Sequence, residues 1–489
     1  MAMKDFRFKE VDKGINRQLP SSMVHWSTGR NVRFKPGIAR KTPGKAFLKT
    51  VPGALPVRDA FTFIGTDGAL RTIVCCDTAI YAYTADFASY SDITPTITPT
   101  GGADNVWEFA LVGGLPILSN GKNAIWKWAA YNTILTPLTG APTYGKRICN
   151  VLHRLVVWDI SESGYTYTGR VRWTEPGDPE NWTIDSTDKA GYFDIMGYNT
   201  GVSAMANIKA QIASGARLFC FTERGLWVSD FAQVTKQFFE KDPEAEILAS
   251  RAVCRLKGHV YWLGKKDIHR SQGEQTEDIG LPIRDELFDH LNASYLHTAF
   301  AFPMLSEGEV WFCVATGSNT VPDTAFVFNE ELKNWTILDI DFTCQGEAGI
   351  LGLTTDIIGT ANGDILRLDS GNNAYASAVA TAIEGVIETG DMDFDFPNNV
   401  KKVCEIIPDL EVQDEVSELL VQVGVRNRLA DDIKWSDPVP FTIGASERCD
   451  MDGFRREGKW VRVRFYSNQL GSPWALNGFT IKYSVGGNR

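Results

Sequence analysis

The chain has 489 residues, of which 44% are hydrophobic and 11% aromatic, with 44 glycines and 14 tryptophans, and this composition predicts a folded, turn-rich protein long enough to bury one or more large cores. Its 49 basic and 60 acidic residues leave a formal net charge of −11. That balance argues against a protein whose main task is to hold DNA, because such a protein presents a basic face to the phosphates.

The first residues do not predict export or a membrane anchor. The opening stretch MAMKDFRFKEVDK is charged from its fourth position and lacks the apolar core of a secretory signal. The longest apolar stretch, 109–118, is interrupted by Gly113, Gly114 and Pro116, whereas a membrane span needs about 18 apolar residues. We expect a soluble chain without a membrane-spanning segment.

Residues 1–50 are basic for an acidic protein. Short strands are predicted at 29–34 and 46–48, joined by Pro-Gly turns. Such a stretch either contacts nucleic acid or forms a solvated, partner-facing arm, and the arm is the commoner meaning. We interpret 1–50 as a docking segment. Basic residues concentrated in this segment include Arg17, Arg30, Arg33, Lys35, Arg40, Lys41, Lys45 and Lys49.

Short strands of alternating apolar residues, bounded by Gly, Asp, Asn and Pro, fill 57–368. About 310 residues with this spacing predict a β-propeller of six or seven blades, with a large sandwich or jelly roll as the alternative fold. A helix is predicted at 282–291, where Ile283, Leu287 and Leu291 share one face, and a weaker one at 234–250 is broken by a proline. Predicted strands are 60–64, 70–75, 79–83, 107–112, 124–128, 152–158, 218–221, 225–228, 259–263, 310–314, 324–328 and 363–368.

The stretch 170–195 has the pattern of a β-hairpin. It predicts a strand through Trp173, a loop rich in Pro, Gly, Asp and Glu, and a second strand around Trp182. The tetrapeptide Asn-Trp-Thr-Ile occurs at 181–184 and again at 334–337, which is 153 residues later by subtraction of the starting positions. Because propeller blades recur about every 40 to 50 residues, this offset corresponds to three blades.

The composition changes near residue 370. Residues 370–381 are small and polar and predict a linker, after which clean alternating strands follow at 417–425, 459–466 and 477–485. In the second of these strands the apolar residues alternate with Arg462 and Arg464, so one face is core and the other polar. The sequence therefore predicts a propeller at 51–370 and a β-sandwich platform at 371–489.

Nine cysteines are scattered along the chain without a C-x-x-C pair. Most lie in strand-like apolar runs, where a thiol acts as a small apolar side chain, so structural thiols in a reducing cytosol are expected. The positions are Cys75, Cys76, Cys149, Cys220, Cys254, Cys313, Cys344, Cys404 and Cys449.

Motifs with catalytic or binding chemistry each fail at a required position. The G-x-x-x-x-G-K frame at 453–459 is followed by Trp460 and a strand, where a phosphate loop needs Ser or Thr and a helix. The Asp391, Asp393 and Asp395 run resembles a calcium loop but lacks its glycine and its last glutamate, so an exposed acidic strand edge is expected instead. No H-E-x-x-H or G-x-S-x-G motif occurs. We expect no catalytic, cofactor-binding or metal-binding residues.

Several stretches in one order carry a resemblance to a known family. They are GRNVRFKPGIARKTPGKAF, RVRWTEPGDPENWT with AGYFDI, FTERGLWVSDF, 292–300 with 310–312, DTAFVFNEELKNWTI and WALNGFTIKYSVGGNR. Together they resemble the tail nozzle proteins of short-tailed bacteriophages, also called tail tubular B or packaged-DNA-stabilising proteins. The resemblance covers nearly the whole chain, although each motif alone is only strand and turn chemistry.

The resemblance implies a propeller and a β-sandwich platform, six copies around a channel, and attachment to the adaptor ring beneath the portal, with no catalytic residues to transfer. We expect a structural virion protein of the tail, assembled in the cytoplasm of an infected bacterium, which retains packaged double-stranded DNA and conducts it during ejection. Needle or fibre proteins would dock at the distal tip. Six copies at −11 give −66, a wall that repels DNA overall, as suits a conduit. The sequence does not identify the residues that line the channel.

The alternative is a propeller that binds or cleaves glycans. In that reading Trp173 and Trp182 are exposed sugar platforms, and Glu175, Asp178 and Glu180 offer carboxylate pairs for hydrolysis. In the nozzle reading the same tryptophans are core, and the loop carboxylates form turns. The exposure of the two tryptophans distinguishes the readings.

Overall fold

The computed structural model describes residues 3–19, 24–102, 107–184, 189–197, 205–206, 208–223, 225–350, 353–376, 379–411, 417–451 and 453–487. Strands dominate these residues, which form a seven-bladed propeller and a two-sheet sandwich. The predicted all-β fold, a propeller with a sandwich platform, is confirmed.

Five strands lie in the first 50 residues. They are short because turns at Gly37 and around Pro43 interrupt them. Four belong to the sandwich and the fifth to the propeller. The strands are β1 (Met3–Phe8), β2 (Trp26–Arg30), β3 (Val32–Lys35), β4 (Ile38–Lys41) and β5 (Lys45–Thr50).

Six propeller blades are each built from four consecutive antiparallel strands. The first three blades comprise β6 (Val57–Ile64), β7 (Leu70–Cys76), β8 (Ile80–Thr84), β9 (Tyr90–Asp92); β10 (Glu108–Val112), β11 (Leu115–Ser119), β12 (Trp126–Lys127), β13 (Thr136–Pro137); and β14 (Tyr144–Val151), β15 (Arg154–Glu162), β16 (Tyr165–Trp173), β17 (Gly191–Asp194). The next three comprise β18 (Ile208–Ser214), β19 (Arg217–Thr222), β20 (Leu226–Asp230), β21 (Phe238–Asp242); β22 (Val253–Leu256), β23 (His259–Leu263), β24 (Ile268–Ser271), β25 (Thr276–Asp278); and β26 (Phe300–Met304), β27 (Glu309–Val314), β28 (Thr324–Asn329), β29 (Asn334–Asp339).

The seventh blade closes the ring with strands from both ends of the propeller sequence. Strands β30 (Cys344–Ile350), β31 (Leu353–Gly359) and β32 (Asp364–Leu368) continue the chain, and β5 pairs with β32 as the outermost strand. On the inner side Gly346 of β30 lies so close to Ala60 of β6 that an added Cβ would be 2.5 Å from the Ala60 carbonyl oxygen. The first and seventh blades are therefore in direct contact.

The remaining strands complete the sandwich, except for the first two, which form a hairpin of their own. They are β33 (Ala374–Ala376), β34 (Val379–Thr381), β35 (Gly385–Thr389), β36 (Lys401–Leu410), β37 (Glu418–Arg426), β38 (Lys434–Trp435), β39 (Val439–Thr442), β40 (Cys449–Asp450), β41 (Trp460–Ser467) and β42 (Ala475–Val485). One sheet has the order β3-β4-β42-β36-β40 with β1 also on β42, and the other has the order β2-β35-β41-β37-β38 with β39 also on β37. β33 and β34 form a separate hairpin where a linker was expected.

The expected division of the chain at residue 50 differs from the observed sheets. Residues 1–50 were interpreted as a separate docking segment, but β1 to β4 complete both sandwich sheets and β5 completes the propeller. The physical reason is that an edge strand leaves backbone donors and acceptors unpaired, and these N-terminal strands pair with them.

The two domains share one hydrophobic core. Phe465 and Phe479 meet across the two sandwich sheets with ring centroids 5.0 Å apart. The same cluster of buried residues continues through Trp26 to Trp335 of the sixth blade. Burial of this continuous apolar surface holds the propeller and the sandwich together.

The structure confirms the main predicted helix and corrects two local predictions. Helix α1 (Arg284–His290) follows a 3₁₀ turn at Leu281–Ile283, and Leu287 is fully buried; other 3₁₀ turns lie at Pro52–Ala54 and Ala293–Thr298. The weaker helix at 234–250 is absent among the described residues there, where β21 is found. Trp182 is not in a strand either. Its carbonyl accepts a hydrogen bond from Arg172 Nη2 at 3.1 Å. Trp182 therefore belongs to the Pro- and Gly-rich loop after β16, and β16 pairs with β17 instead.

Candidate functional sites at the domain junction and on the propeller axis

The N-terminal segment lies along β29, the outer strand of the sixth blade. The Ile15 amide donates to the Trp335 carbonyl at 3.0 Å, and the Asn31 amide donates to the Ile337 carbonyl at 3.0 Å. Gly14 has a φ of +75°, and an added Cβ there would lie 2.6 Å from the Asn334 Cβ. The second Asn-Trp-Thr-Ile tetrapeptide, 334–337, is therefore the propeller side of the domain junction.

A buried ionic cluster centres on Arg33 of β3. Arg33 is 1% exposed and pairs with Glu309 of β27 at 2.5 Å and with Asp369 after β32. Burial by itself lowers the pKa of Arg33, but the two carboxylates outweigh it and raise that pKa above its ordinary value. The guanidinium therefore stays charged and links the sandwich to the last two blades.

Most of the other basic residues in 1–50 also have partners within the chain. The contacts are Arg17 with Glu286 at 3.3 Å, Arg30 with Asp339 at 2.9 Å, Lys35 with Glu307 at 2.9 Å, Arg40 with Glu307 at 3.6 Å, Lys45 with Asp341, and Lys41 Nζ with the Ser472 carbonyl at 2.9 Å. With Arg33, seven of the eight basic residues between 17 and 49 contact acceptors in the chain itself. Six of the seven bind carboxylates of the propeller, and Lys41 binds the sandwich, so the segment packs against its own chain.

The propeller axis contains a cavity of about 380 Å³ that is lined by the innermost strand of every blade. These strands are β6, β10, β14, β18, β22, β26 and β30. Aromatic side chains such as Phe109 and Phe302 alternate in its wall with charged ones. The axis is therefore a closed ring of strands around a small polar and aromatic chamber.

Two arginine–carboxylate pairs lie in this chamber. Arg251 Nη2 is 3.2 Å from Asp59 Oδ2, and Arg147 Nη1 donates to Glu108 Oε1. Arg147 is 6% exposed, yet its Nη2 finds no hydrogen-bond acceptor among the described residues. Arg255 also lines the chamber but is exposed, so the chamber reaches solvent on that side.

Asp59 has an unusual protonation equilibrium. Burial raises its pKa from 3.8 to about 7, although the nearby Arg251 and Arg147 favour the charged form and Glu108 opposes it. The carboxyl therefore titrates near neutral pH. Sequence reasoning did not identify this chamber, and the available signal was the placement of Asp59, Arg147 and Arg251 within or beside otherwise apolar strands.

The acidic run at 391–395 is not an exposed strand edge, as had been expected. Asp391 is 1% exposed and binds Arg426 and Arg462, with Arg462 Nη2 at 2.7 Å, while Arg462 and Arg464 also bind Glu388 at 2.8 and 3.0 Å. The arginines on the polar face of β41 draw the carboxylate inward, so Asp391 is part of a sandwich ion-pair network, while Asp393 is half-buried and Asp395 is exposed in a turn.

The two tryptophans that the glycan-binding hypothesis treats as sugar platforms are buried. Trp173 is 6% exposed and Trp182 is 5% exposed, so neither ring presents a face to a sugar. In the loop between them Glu175 accepts from Asn181 at 2.5 Å, and Glu180 binds Lys127 at 2.6 Å. Turn formation and local pairing account for these carboxylates.

The cysteines are present as thiols, and the G-x-x-x-x-G-K frame precedes a strand. All nine cysteines are free thiols and seven are buried, and burial raises the pKa of Cys149 to about 12. Lys459 is followed by strand β41, as the sequence indicates. In the part of the chain that the structure describes, no group of three His, Cys, Asp or Glu residues is arranged for a metal ion, and no helix there has the length and apolarity to cross a membrane.

Comparisons with known proteins give fold-level similarity. No protein-family model matches the chain, and no curated protein matches its sequence. Among solved structures the chain is similar to "YCF48 bound to D1 peptide", with a TM-score of 0.41 and 10% identity over 65% of this chain and 95% of that chain. It is also similar to YCF48 from Cyanidioschyzon merolae, with a TM-score of 0.39 and 8% identity over 67% and 98% of the two chains. The propeller assignment rests on the sheet order described above, and no functional statement is drawn from these similarities.

Proposed function

We propose that the chain is a subunit of the distal tail nozzle of a short-tailed bacteriophage, a structural virion protein that retains packaged DNA and conducts it during ejection. The observation that carries the proposal is the architecture: a propeller set on a β-sandwich is the pair of domains that the resemblance of the sequence motifs implies. In this proposal the subunit is assembled in the cytoplasm of the infected bacterium.

The domain junction supports a mechanical role. Strands from both ends of the chain build both sandwich sheets, and a buried ion cluster around Arg33 joins the sandwich to the propeller. A subunit in a pressurised tube must keep its domains in one arrangement, and a continuous core with a buried, fully paired Arg33 provides that rigidity.

The ring and adaptor contacts are assigned to the sandwich. Most basic residues named in 1–50, which the sequence suggested as a docking segment, contact acceptors within the chain. In this proposal six sandwiches surround the channel and the propellers project outward. The subunit charge of −11 favours a DNA-repelling wall, which lets a genome pass without adhering. Distal needle or fibre proteins and the adaptor ring beneath the portal are the proposed partners.

Negative-stain electron microscopy of the purified chain tests the proposal, with and without a portal–adaptor complex from the same virus. Six-fold rings that cap the adaptor are expected. The variant Arg30→Gln, which removes an exposed pair of the basic segment, serves as a control and should form the same rings. Monodisperse single copies that ignore the adaptor would contradict the proposal.

The glycan-binding or glycan-cleaving alternative is not favoured. Its two tryptophans are buried, and the loop carboxylates nearby already bind neighbouring side chains. A glycan array probed with the purified chain measures glycan binding directly. Specific binding of a glycan by the folded protein would support the alternative.

A further inference from the structure

The axial chamber carries an excess of positive charge. Its lining includes three guanidinium groups, Arg147, Arg251 and Arg255, and two carboxylates, Asp59 and Glu108. Because the pKa of Asp59 is about 7, the charge is +1 above that pH, with both carboxylates ionised, and +2 below it. The chamber therefore favours an anionic ligand, and above pH 7 a single negative charge is enough to neutralise it.

Among the described residues, Arg147 has one hydrogen-bond donor without an acceptor. Its Nη1 binds Glu108, but its Nη2 is buried and has no acceptor among the described residues, although the side chain is 7% exposed and lines the cavity. Buried donors are nearly always paired, because an unpaired one loses its water without compensation. An acceptor in the chamber would pair this Nη2 once the guanidinium turns toward the cavity, because the atom itself has almost no accessible surface in this structure.

The rest of the chamber fits an apolar ligand body. Phe61, Phe109, Phe300 and Phe302 line it together with the buried Trp107. Its volume of about 380 Å³ lies at the lower end of the range for small-molecule sites, which combine apolar walls with a few polar anchors.

The planar guanidinium fork matches a carboxylate, which accepts two parallel hydrogen bonds. We propose that the axial chamber binds a small monocarboxylate with an apolar or aromatic body, its carboxylate at Arg147 and its body against the phenylalanine side chains. Arg255 lies on the solvent side and attracts the anion as it enters. This site is separate from DNA conduction and stands whether or not the chain forms a tail nozzle.

Isothermal titration calorimetry of the full-length protein tests the site with three probes. Benzoate has the required charge and ring, benzamide is its neutral isostere, and inorganic phosphate carries charge without an apolar body. Benzoate is expected to bind at least about tenfold more tightly than either control, the size of one charge-assisted hydrogen bond. Equal binding of benzamide, tighter binding of phosphate, or no benzoate binding at about 10 mM would overturn the proposal.

Two variants locate the binding. Arg147→Lys keeps a positive charge near Glu108 but loses the second N–H group, and a loss of about tenfold in benzoate affinity is expected. Arg255→Gln changes an exposed residue that the fold tolerates, with an expected loss of about threefold. Arg217→Gln, an exposed arginine on β19 outside the chamber, should leave the affinity unchanged.

Circular dichroism and gel filtration of each variant establish that it is folded. If Arg147→Lys does not fold, Arg255→Gln alone decides the question. Unchanged benzoate affinity in the folded variants that alter the chamber would overturn the assignment.

Discussion

The domain junction and the propeller axis both bury arginine–carboxylate pairs, but Arg33 at the junction is fully paired and Arg147 on the axis is not. Arg33 donates to Glu309 through Nε and Nη2 and to Asp369 through Nη1. Arg147 binds Glu108 through one nitrogen, and its Nη2 has no acceptor among the described residues. The same chemistry is thus structural in one place and available to a ligand in the other.

The difference comes from how each region closes. At the junction, backbone hydrogen bonds join Ile15 and Asn31 to β29, and charges of opposite sign meet beside them. On the axis, seven inner strands form a ring whose centre they do not fill, so a cavity of about 380 Å³ remains. A buried charge therefore indicates a binding site only where the surrounding strands leave space beside it.

Removing the arginine of the junction should have the largest effect. Arg33→Met leaves Glu309 and Asp369 without their cation in a buried site, and we expect a loss of about 3 to 5 kcal/mol in the free energy of unfolding. Chemical denaturation of the full chain measures it. Arg30→Gln is the control, because the Arg30–Asp339 pair is 38% and 58% exposed and contributes at most about 1 kcal/mol. Equal losses in the two variants would contradict the structural role of the junction.

The axis should give the protein a pH dependence that the junction does not. The pKa of Asp59 rises on folding from 3.8 to about 7, so the folded state binds this proton more tightly than the unfolded state. The resulting stabilisation is complete below about pH 4 and is lost as pH rises through 7. Between pH 5 and 8 the free energy of unfolding is expected to fall by about 2 to 3 kcal/mol. The charged groups that face the Asp59 carboxyl are Arg251, Arg147 and Glu108.

Thermal unfolding midpoints at pH 5, 6, 7 and 8 measure this dependence in the original chain and in Asp59→Asn. The variant should lose the decline between pH 5 and 8. Asp67→Asn is the matched control, because hydrogen bonds from Arg71 lower the pKa of Asp67 to about 2, outside this range. An unchanged slope in Asp59→Asn would show that the axis carboxyl does not titrate there.

Two glycines with the same backbone conformation, one packed at the domain junction and one in open space, test how tightly the junction is packed. Gly14 and Gly37 both have a φ of +75°, but an added Cβ meets Asn334 at 2.6 Å in the first case and nothing within 4 Å in the second. Both alanine variants pay the left-handed backbone cost of about 1 kcal/mol. Gly14→Ala should cost about 1 to 2 kcal/mol more, as measured by denaturation, because the junction must shift. Equal costs would mean that the junction is loosely packed.

The fold was largely predictable because its signals are local. Alternation of apolar residues identified strands such as 259–263, whose bounds match β23, and Leu287 marked the buried face of α1. The 153-residue repeat separates the third and sixth blades, as the three-blade offset predicts, but only the second copy is in a strand. Periodicity does not reveal whether Trp182 pairs with a strand or packs between blades.

The candidate sites were less predictable because they join distant positions. The basic residues near Arg33 were visible in the sequence, but their acceptors lie about 270 to 340 residues away, as with Glu309 and Asp369. The axis residues Asp59 and Arg251 are 192 positions apart. Nothing in their neighbourhoods marks them as partners, since each is one polar residue in an apolar run.

By itself, the sequence determined the class of the protein: strands and turns follow from side-chain alternation and from Gly and Pro, which act over a few residues. Only the tertiary structure decided that β1 to β5 complete both domains, that Asp391 is buried, and that Arg147 Nη2 has no acceptor among the residues described around a central chamber. These outcomes depend on which distant strands pack together in the closed ring and in the sandwich, and on the charge and space where they do. Local sequence patterns do not contain that information.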